Sequence, residues 1–145
     1  MVLLYFLEIE KGVNKNWDLL EKETIVSLKN QKKLAKIYQS SDVFVMPSTR
    51  EPWGLTVNEA MAAGNAIISS DNVGSSYDLV KEEKNGFKFK NNNAEDLAKK
   101  IIKIYKNRKK LKKFKFNSIK IISKWNFNAG YLGLKKSIKL VKDFK

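Results

Sequence analysis

The chain of 145 residues contains no cysteine and no histidine. Without cysteine, disulfide bridges, thiolate nucleophiles and thiolate metal sites are excluded. Without histidine, the chain also lacks the commonest metal ligand and the side chain that most often serves as a general base near neutral pH. Any chemistry must therefore come from carboxylates, amines, guanidinium groups, hydroxyl groups or the backbone.

Long apolar runs and linker-like segments are absent as well. No window approaches the roughly 18 uninterrupted apolar residues that a membrane-spanning helix needs. The opening stretch MVLLYFLEIEKG is interrupted at Glu8 and has no basic leader, so it predicts a buried strand and not a signal peptide. Residues 1–145 have about the size of one domain with its own core, and no stretch rich in glycine, proline or serine divides them. We therefore expect one soluble, cytoplasmic domain.

Acidic residues are scarce beside basic ones: 15 Asp and Glu stand against 29 Lys and Arg, for a formal net charge of +14. Twelve of these cations, and no acidic residue, fall between Lys99 and Lys124. The preferred interpretation is an ordinary lysine-rich solvated surface. The second is attraction to an anionic membrane surface, worth up to ~1 kcal/mol per lysine. Nucleic acid comes last and is not expected as a partner, because base readers rely on arginine and only Arg50 and Arg108 are present.

Apolar runs alternate with segments of helical periodicity, which indicates strand–helix–strand units around a parallel sheet. Strands are predicted at residues 2–7, 24–28, 42–47, 66–70 and 85–89. Helices are predicted at residues 19–23, 31–39 and 55–63, within 71–80, at 94–105, and in two further segments that follow. The helix at 94–105 should bury a stripe of Leu97, Ile101, Ile104 and Tyr105.

The segment STREPWGLTVNEAMAAG, residues 48–64, places Glu51 and Glu59 eight positions apart around a Trp-Gly pair. It follows a predicted strand, and ligands of open parallel sheets bind at the carboxyl ends of the strands. Gly54 lets the backbone approach a ligand closely, and the amides after it form a helix N-terminus that suits a phosphate without a metal. The two carboxylates can then accept hydrogen bonds from hydroxyl groups on separate parts of the same ligand.

Residues 41–70, SDVFVMPSTREPWGLTVNEAMAAGNAIISS, resemble the most characteristic stretch of the retaining glycosyltransferases of family 4. This is the large "group 1" family with the GT-B fold, marked by Glu, seven residues, Glu, and then Ala-Met-Ala-x-Gly. The likeness continues through VGSSYDLV, similar to a Gly-Gly-x-x-Glu loop, through NGFKF, and through WNFNAGYLGLKKSIKLV, similar to the closing helices. It covers about residues 30–143, whereas residues 1–23 match the family poorly.

The resemblance implies an α/β fold, with a Rossmann-like parallel sheet flanked by helices and extra helices at the C-terminus, as the donor-binding half of a GT-B enzyme. It implies a hexosyltransferase that moves a sugar with retention from a nucleoside-diphosphate sugar, with no metal or other cofactor, to a surface-glycan or lipid-linked acceptor. By the family pattern Glu51 contacts the hexose and is the catalytic candidate, and Glu59 contacts the ribose. The remaining donor contacts then fall to Trp53, Gly54, Leu55 and Thr56.

Three of these residues also have a simpler alternative interpretation. Glu51 could be a helix-entry carboxylate favoured by the helix dipole, worth ~0.3–1 kcal/mol. Glu59 could be one half of a surface salt bridge to a lysine. Trp53 could simply pack on the sheet.

The chain departs from the family pattern at several places. Asn65-Ala66 follows the glycine where the family usually has proline, and Gly74-Ser75 replaces a pair of glycines. The upstream Arg and Lys that clamp the donor diphosphate have no counterpart, and an N-terminal acceptor-binding half is missing. We therefore expect a truncated chain with a largely intact donor-binding fold, placed in the cytoplasm and peripherally at the inner face of the membrane. The alternatives to an enzyme are an inactive nucleotide-sugar-binding remnant and, less favoured, a basic adaptor for membrane or nucleic acid.

Overall fold

The computed structural model describes residues 5–7 and 31–143. The strands in these ranges are β1 (Tyr5–Leu7), β2 (Val43–Met46), β3 (Ala66–Ser70) and β4 (Gly86–Phe89). The helices are α1 (Gln31–Ser40), α2 (Leu55–Ala62), α3 (Gly74–Leu79), α4 (Ala94–Tyr105), α5 (Arg108–Ile122) and α6 (Phe127–Asp143). The elements predicted at residues 19–23 and 24–28, and the start of the first strand, lie outside the described residues.

The strands form one sheet in the order β1-β2-β3-β4. β2, β3 and β4 are parallel, with Phe44 beside Ile67 and Ile68 beside Phe87, as the alternating pattern predicts. β1 instead runs antiparallel to β2, with Phe6 opposite Phe44, which corrects the expectation of a wholly parallel sheet. An apolar run marks a strand but carries no information on its direction, and an antiparallel edge strand is common on parallel sheets.

Both faces of the sheet are covered by helices, so the strand residues of β2 and β3 are buried throughout. Successive side chains of a strand point to opposite faces, and this divides the core into two clusters. Val45, Ile68 and Phe87 belong to the cluster that α4 and α5 complete. Phe44 and Ile67 belong to the other, which includes side chains of α1, α2 and α3. The chain therefore forms the layered α/β fold that the sequence predicts.

The stripe predicted for α4 is only partly correct. Ile104 is buried and Leu97 and Ile101 pack against its cluster, but the Tyr105 ring is 50% exposed. Tyr105 is the last residue of α4 and lies about 100° around the helix from Ile104, at the edge of the apolar stripe. The Arg108 guanidinium lies 5.9 Å from the centre of the Tyr105 ring. Within the described ranges no helix is both long and apolar enough to cross a bilayer.

Candidate functional site

The segment with the two glutamates lies directly beyond the carboxyl end of β2, where the sequence placed it. β2 ends at Met46, the loop carries Glu51, and α2 begins at Leu55. Glu59 lies on the second turn of α2, about 6 Å along the helix axis from Leu55 at the usual rise per residue. One carboxylate is thus in the loop and the other on the helix.

The loop is fastened to the segment between β3 and α3. The Glu51 amide donates to the Asn72 carbonyl (3.2 Å), and the Gly74 amide donates to the Glu51 carbonyl (2.9 Å). The Ser75 amide donates to the Trp53 carbonyl (2.8 Å). These bonds extend the parallel pairing of β2 and β3 past the sheet, so the backbone of the loop is held in one arrangement.

Glycine is required at two positions of this contact. Gly54 has φ +89°, and a β-carbon there would lie 3.1 Å from Val73 Cγ1 and 3.4 Å from Ser75 Oγ. At Gly74 a β-carbon would lie 1.9 Å from the Pro52 carbonyl oxygen, which leaves no room for any side chain. The second glycine of the family pattern is Ser75 here, whose buried hydroxyl has no hydrogen-bond partner among residues 5–7 and 31–143.

The N-terminus of α2 has the properties of an anion-binding site. Gly54 is the N-cap residue and no side chain caps the helix. The first amides of a helix have no partner inside it, and the helix dipole favours a negative group beside them. Leu55 is 70% exposed at this end of the helix. The Thr56 hydroxyl donates to the Met46 sulfur (3.6 Å), which is a weak acceptor, so it can turn to a ligand.

The Glu51 carboxylate lies against its own loop. Its Oε1 accepts a hydrogen bond from the Trp53 amide (3.3 Å), and the residue is partly exposed. A carboxylate offers about four acceptor directions, and this contact uses one. The geometry is compatible with acceptance of hydrogen bonds from neutral hydroxyl groups.

Glu59 is held by a different element. Its Oε2 accepts a hydrogen bond from the hydroxyl of Tyr38 on α1 (3.1 Å). Tyr38 is only 2% exposed, and burial, together with the nearby negative charge of Glu59 and this hydrogen bond, raises the pKa of the Tyr38 hydroxyl well above its usual range. Glu59 itself is exposed. A buried neutral tyrosine thus orients a carboxylate that remains open to solvent.

Trp53 is partly buried and packs against the core cluster of α1, α2 and α3. Its Nε1 donates to Asn58 Oδ1 (3.1 Å), and its ring centre lies 5.5 Å from that of Trp125. The packing interpretation of this side chain is therefore supported, while its backbone remains part of the site.

The sequence interpretation missed the polar residues that follow the other strands. Asn72, after β3, and Asn91, after β4, both donate side-chain hydrogen bonds to the Thr49 carbonyl, at 2.8 and 3.2 Å. The backbone amide of Asn91 also donates a hydrogen bond to Asp71 Oδ1 (2.8 Å). Their positions could have indicated this role, because each residue follows a parallel strand and the carboxyl ends of parallel strands meet at one edge of the sheet. Among the described residues no cluster of acidic side chains has the makings of a metal site.

The lysine-rich stretch, residues 99–124, contains no acidic residue, but acidic side chains from other parts of the chain contact it. Lys103 and Lys110 both pair with Glu83, and Lys115 pairs with Asp42. These three lysines of the stretch therefore take part in ordinary surface ion pairs.

The family follows from a comparison with known protein families. Residues 15–121 match the family described as "Glycosyl transferases group 1", which is well over half of the chain. The chain belongs to the group 1 glycosyltransferases. The resemblance seen in the paired glutamates and the glycine-ended helix is therefore confirmed at the level of the family.

A curated relative of this glycosyltransferase chain is the glycogen synthase of Alkaliphilus metalliredigens, 36% identical over 112 residues. That match covers 71% of the chain and 24% of the relative. Across the most similar curated relatives, the chain spans only 13% to 24% of their length.

Solved structures show the same fold. The C-terminal domain of the group 1 glycosyl transferase LpcC from Francisella tularensis aligns with a TM-score of 0.64 at 19% identity, covering 79% of this chain and 66% of that domain. The Anabaena protein HepE, solved in complex with UDP and glucose, aligns with a TM-score of 0.60 at 22% identity, covering 74% of this chain and 29% of HepE. The described residues thus have the fold of the C-terminal domain of a GT-B glycosyltransferase.

Proposed function

We propose that this chain forms the donor-binding half of a retaining hexosyltransferase. It binds a nucleoside-diphosphate sugar beyond the carboxyl edge of the sheet and, with an acceptor-binding half, transfers the hexose to a surface-glycan or lipid-linked acceptor. Family membership and the UDP and glucose held by HepE support a nucleotide-sugar donor. The reaction as proposed needs no metal, because backbone amides and cations of the complete enzyme neutralise the diphosphate.

The observation that carries this proposal is the fastened loop that ends in Gly54 and leads into the uncapped N-terminus of α2. The amides of Leu55 and Thr56 have no acceptor inside α2 and are held in fixed positions, so they can bind the diphosphate. As the anomeric bond breaks, negative charge grows on the leaving phosphate. Backbone amides that already point at this phosphate stabilise the growing charge more than they stabilise the intact nucleotide sugar. The same amides therefore serve both binding and reaction.

The two glutamates divide the rest of the donor between them. Glu51, in the loop, accepts hydrogen bonds from hydroxyl groups of the hexose. Glu59, on α2, accepts hydrogen bonds from the ribose hydroxyl groups with the oxygen that Tyr38 does not use. Each interaction is a hydrogen bond to a charged group, worth about 1.5–3 kcal/mol.

A calorimetric titration with UDP tests the proposal. Wild type should bind UDP measurably, and Glu59→Ala should weaken binding by roughly ten- to a hundredfold, which corresponds to the loss of one charged hydrogen bond. Glu95→Ala is the matched control, because Glu95 is an exposed glutamate on α4 that pairs only with Lys99 in its own helix, at 2.8 Å, among the ion pairs of the described residues. Equal affinity in wild type and Glu59→Ala would exclude the ribose role, and no binding of UDP by wild type would exclude the donor site of this chain.

A further inference from the structure

Trp125 lies far from the donor loop in sequence but beside it in space. It belongs to the turn between α5 and α6, and its ring centre is 5.5 Å from that of Trp53, with a 41° angle between the ring planes. Aromatic rings whose centres lie roughly 4.5–7 Å apart attract each other beyond the effect of the area they bury. We infer that Trp125 is a positioning residue for the donor site, acting through Trp53; this inference rests on the proposed function.

Trp53 is the residue through which such an effect reaches the site. Its amide donates to Glu51 Oε1 (3.3 Å), and its carbonyl accepts from the Ser75 amide (2.8 Å). Its indole Nε1 donates to Asn58 Oδ1 on α2 (3.1 Å). Trp53 thus connects the hexose-side carboxylate, the loop before α3 and the helix whose N-terminus faces the diphosphate. A rotation of its ring breaks the bond to Asn58, and a shift of its backbone disturbs the bonds to Glu51 and Ser75.

Trp125 itself is held by elements that do not belong to the donor site. Its amide donates to the Ile122 carbonyl (2.9 Å), and Ile121 and Ile122 at the end of α5 pack against the core. The next residue, Asn126, accepts a hydrogen bond from the Ala129 amide (3.0 Å) at the start of α6. The backbone of Trp125 is therefore held at the end of α5, which packs on the core, and its ring lies against that of Trp53.

Because Trp125 is partly exposed, its effect on the position of Trp53 can be measured apart from its effect on the stability of the fold. Its side chain is 48% exposed, so truncation removes the contact with Trp53 without opening a cavity in the core. Phe127, two positions later and fully exposed, provides a matched aromatic control. Trp125→Phe keeps a ring against Trp53 and serves as the conservative variant.

The first measurement is amide hydrogen exchange by NMR, which needs no ligand. Trp125→Ala should speed exchange several-fold at Gly74 and Ser75, whose amides bond to the Glu51 and Trp53 carbonyls, and should shift the indole signal of Trp53. The amides of Ala66 and Ile67, at the other end of the sheet, should be unchanged. Trp125→Phe and Phe127→Ala should both behave as wild type. Equal acceleration at all four amides would indicate a merely structural role and overturn the inference.

The second measurement is UDP affinity of the same variants. Trp125→Ala should bind UDP about tenfold more weakly than wild type, whereas Trp125→Phe and Phe127→Ala should bind within about twofold. Wild-type binding with no loss in Trp125→Ala would overturn the inference and leave the proposed function standing. If wild type bound no UDP, the proposed function would fall, while the exchange experiment would still decide whether Trp125 holds the loop.

Discussion

The Tyr38 hydroxyl donates a hydrogen bond of 3.1 Å to Glu59 Oε2, across 21 positions of sequence. Tyr38 is buried in the core cluster, where its ring meets Phe44 edge-on at 5.8 Å, so its hydroxyl cannot move freely. Because Glu59 is exposed on α2, this bond is what limits the directions its carboxylate can take. The core of the domain thereby determines the orientation of a residue proposed to bind ribose.

Tyr38→Phe should weaken UDP binding several-fold and leave the fold intact. The substitution keeps the buried ring and removes only the hydroxyl, so Glu59 loses the hydrogen bond that orients it; a hydrogen bond to a charged group is worth about 1.5–3 kcal/mol. Calorimetric titration compares the variant with wild type. Tyr105→Phe, a half-exposed tyrosine on α4, is the control and should bind as wild type. Wild-type affinity in Tyr38→Phe would show that Glu59 needs no partner.

The Tyr38 hydroxyl should not ionise until the protein unfolds in alkali. Burial first, and then the charge and hydrogen bond of Glu59, raise the pKa of Tyr38 above the ordinary value of 10.0. The stabilisation linked to its neutral form is fully present below that ordinary value and is lost as the pH rises beyond it. Absorbance titration of tyrosinate checks this. Tyr38→Phe should leave the tyrosinate signal below the unfolding transition unchanged and should lower only the signal that appears as the protein unfolds.

Gly74→Ala should destabilise the domain and loosen the donor loop. Its new methyl group would lie 1.9 Å from the Pro52 carbonyl oxygen, so the Gly74 to Glu51 hydrogen bond has to break or the loop has to move. Overpacking of this kind costs about 1–3 kcal/mol. Gly133→Ala is the control, because nothing lies within 4 Å of its β-carbon position on α6, and alanine favours a helix by up to ~1 kcal/mol. Urea unfolding of both variants measures the difference, and equal stability would contradict the close approach.

Glu83 should contribute to stability at neutral pH and lose that contribution in acid. Hydrogen bonds from Lys103 and then Lys110 lower the pKa of Glu83 from 4.5 to about 2. Because the folded value is the lower one, the contribution is present above pH 4.5 and disappears as the pH falls from there toward 2. The gap in urea midpoint between wild type and Glu83→Gln should narrow over this range and also shrink with added salt. A gap independent of pH would exclude these ion pairs as its source.

The sequence alone predicted what depends on neighbouring residues. The strand Val43–Met46, the helix Leu55–Ala62 and the left-handed Gly64, with φ +84°, follow from an apolar run, a helical period and a terminal glycine. Asn93 directly precedes the predicted helix at 94–105 and accepts a hydrogen bond from the Asp96 amide (2.9 Å), because asparagine is a favoured residue at a helix N-cap. The order of these elements also places Glu51 in a loop and Glu59 on a helix, because strand, loop and helix follow one another without interruption.

Only the tertiary structure decided the contacts between distant elements. The antiparallel direction of Tyr5–Leu7, the exposure of Tyr105, the bond from Tyr38 to Glu59 and the pairing of Trp53 with Trp125 have no signature in the local pattern. Periodicity tells which face of an element is apolar, but not which element covers that face or which polar group meets it there. Those choices depend on how helices and strands pack in three dimensions, and in this chain they orient a carboxylate and a loop of the proposed donor site.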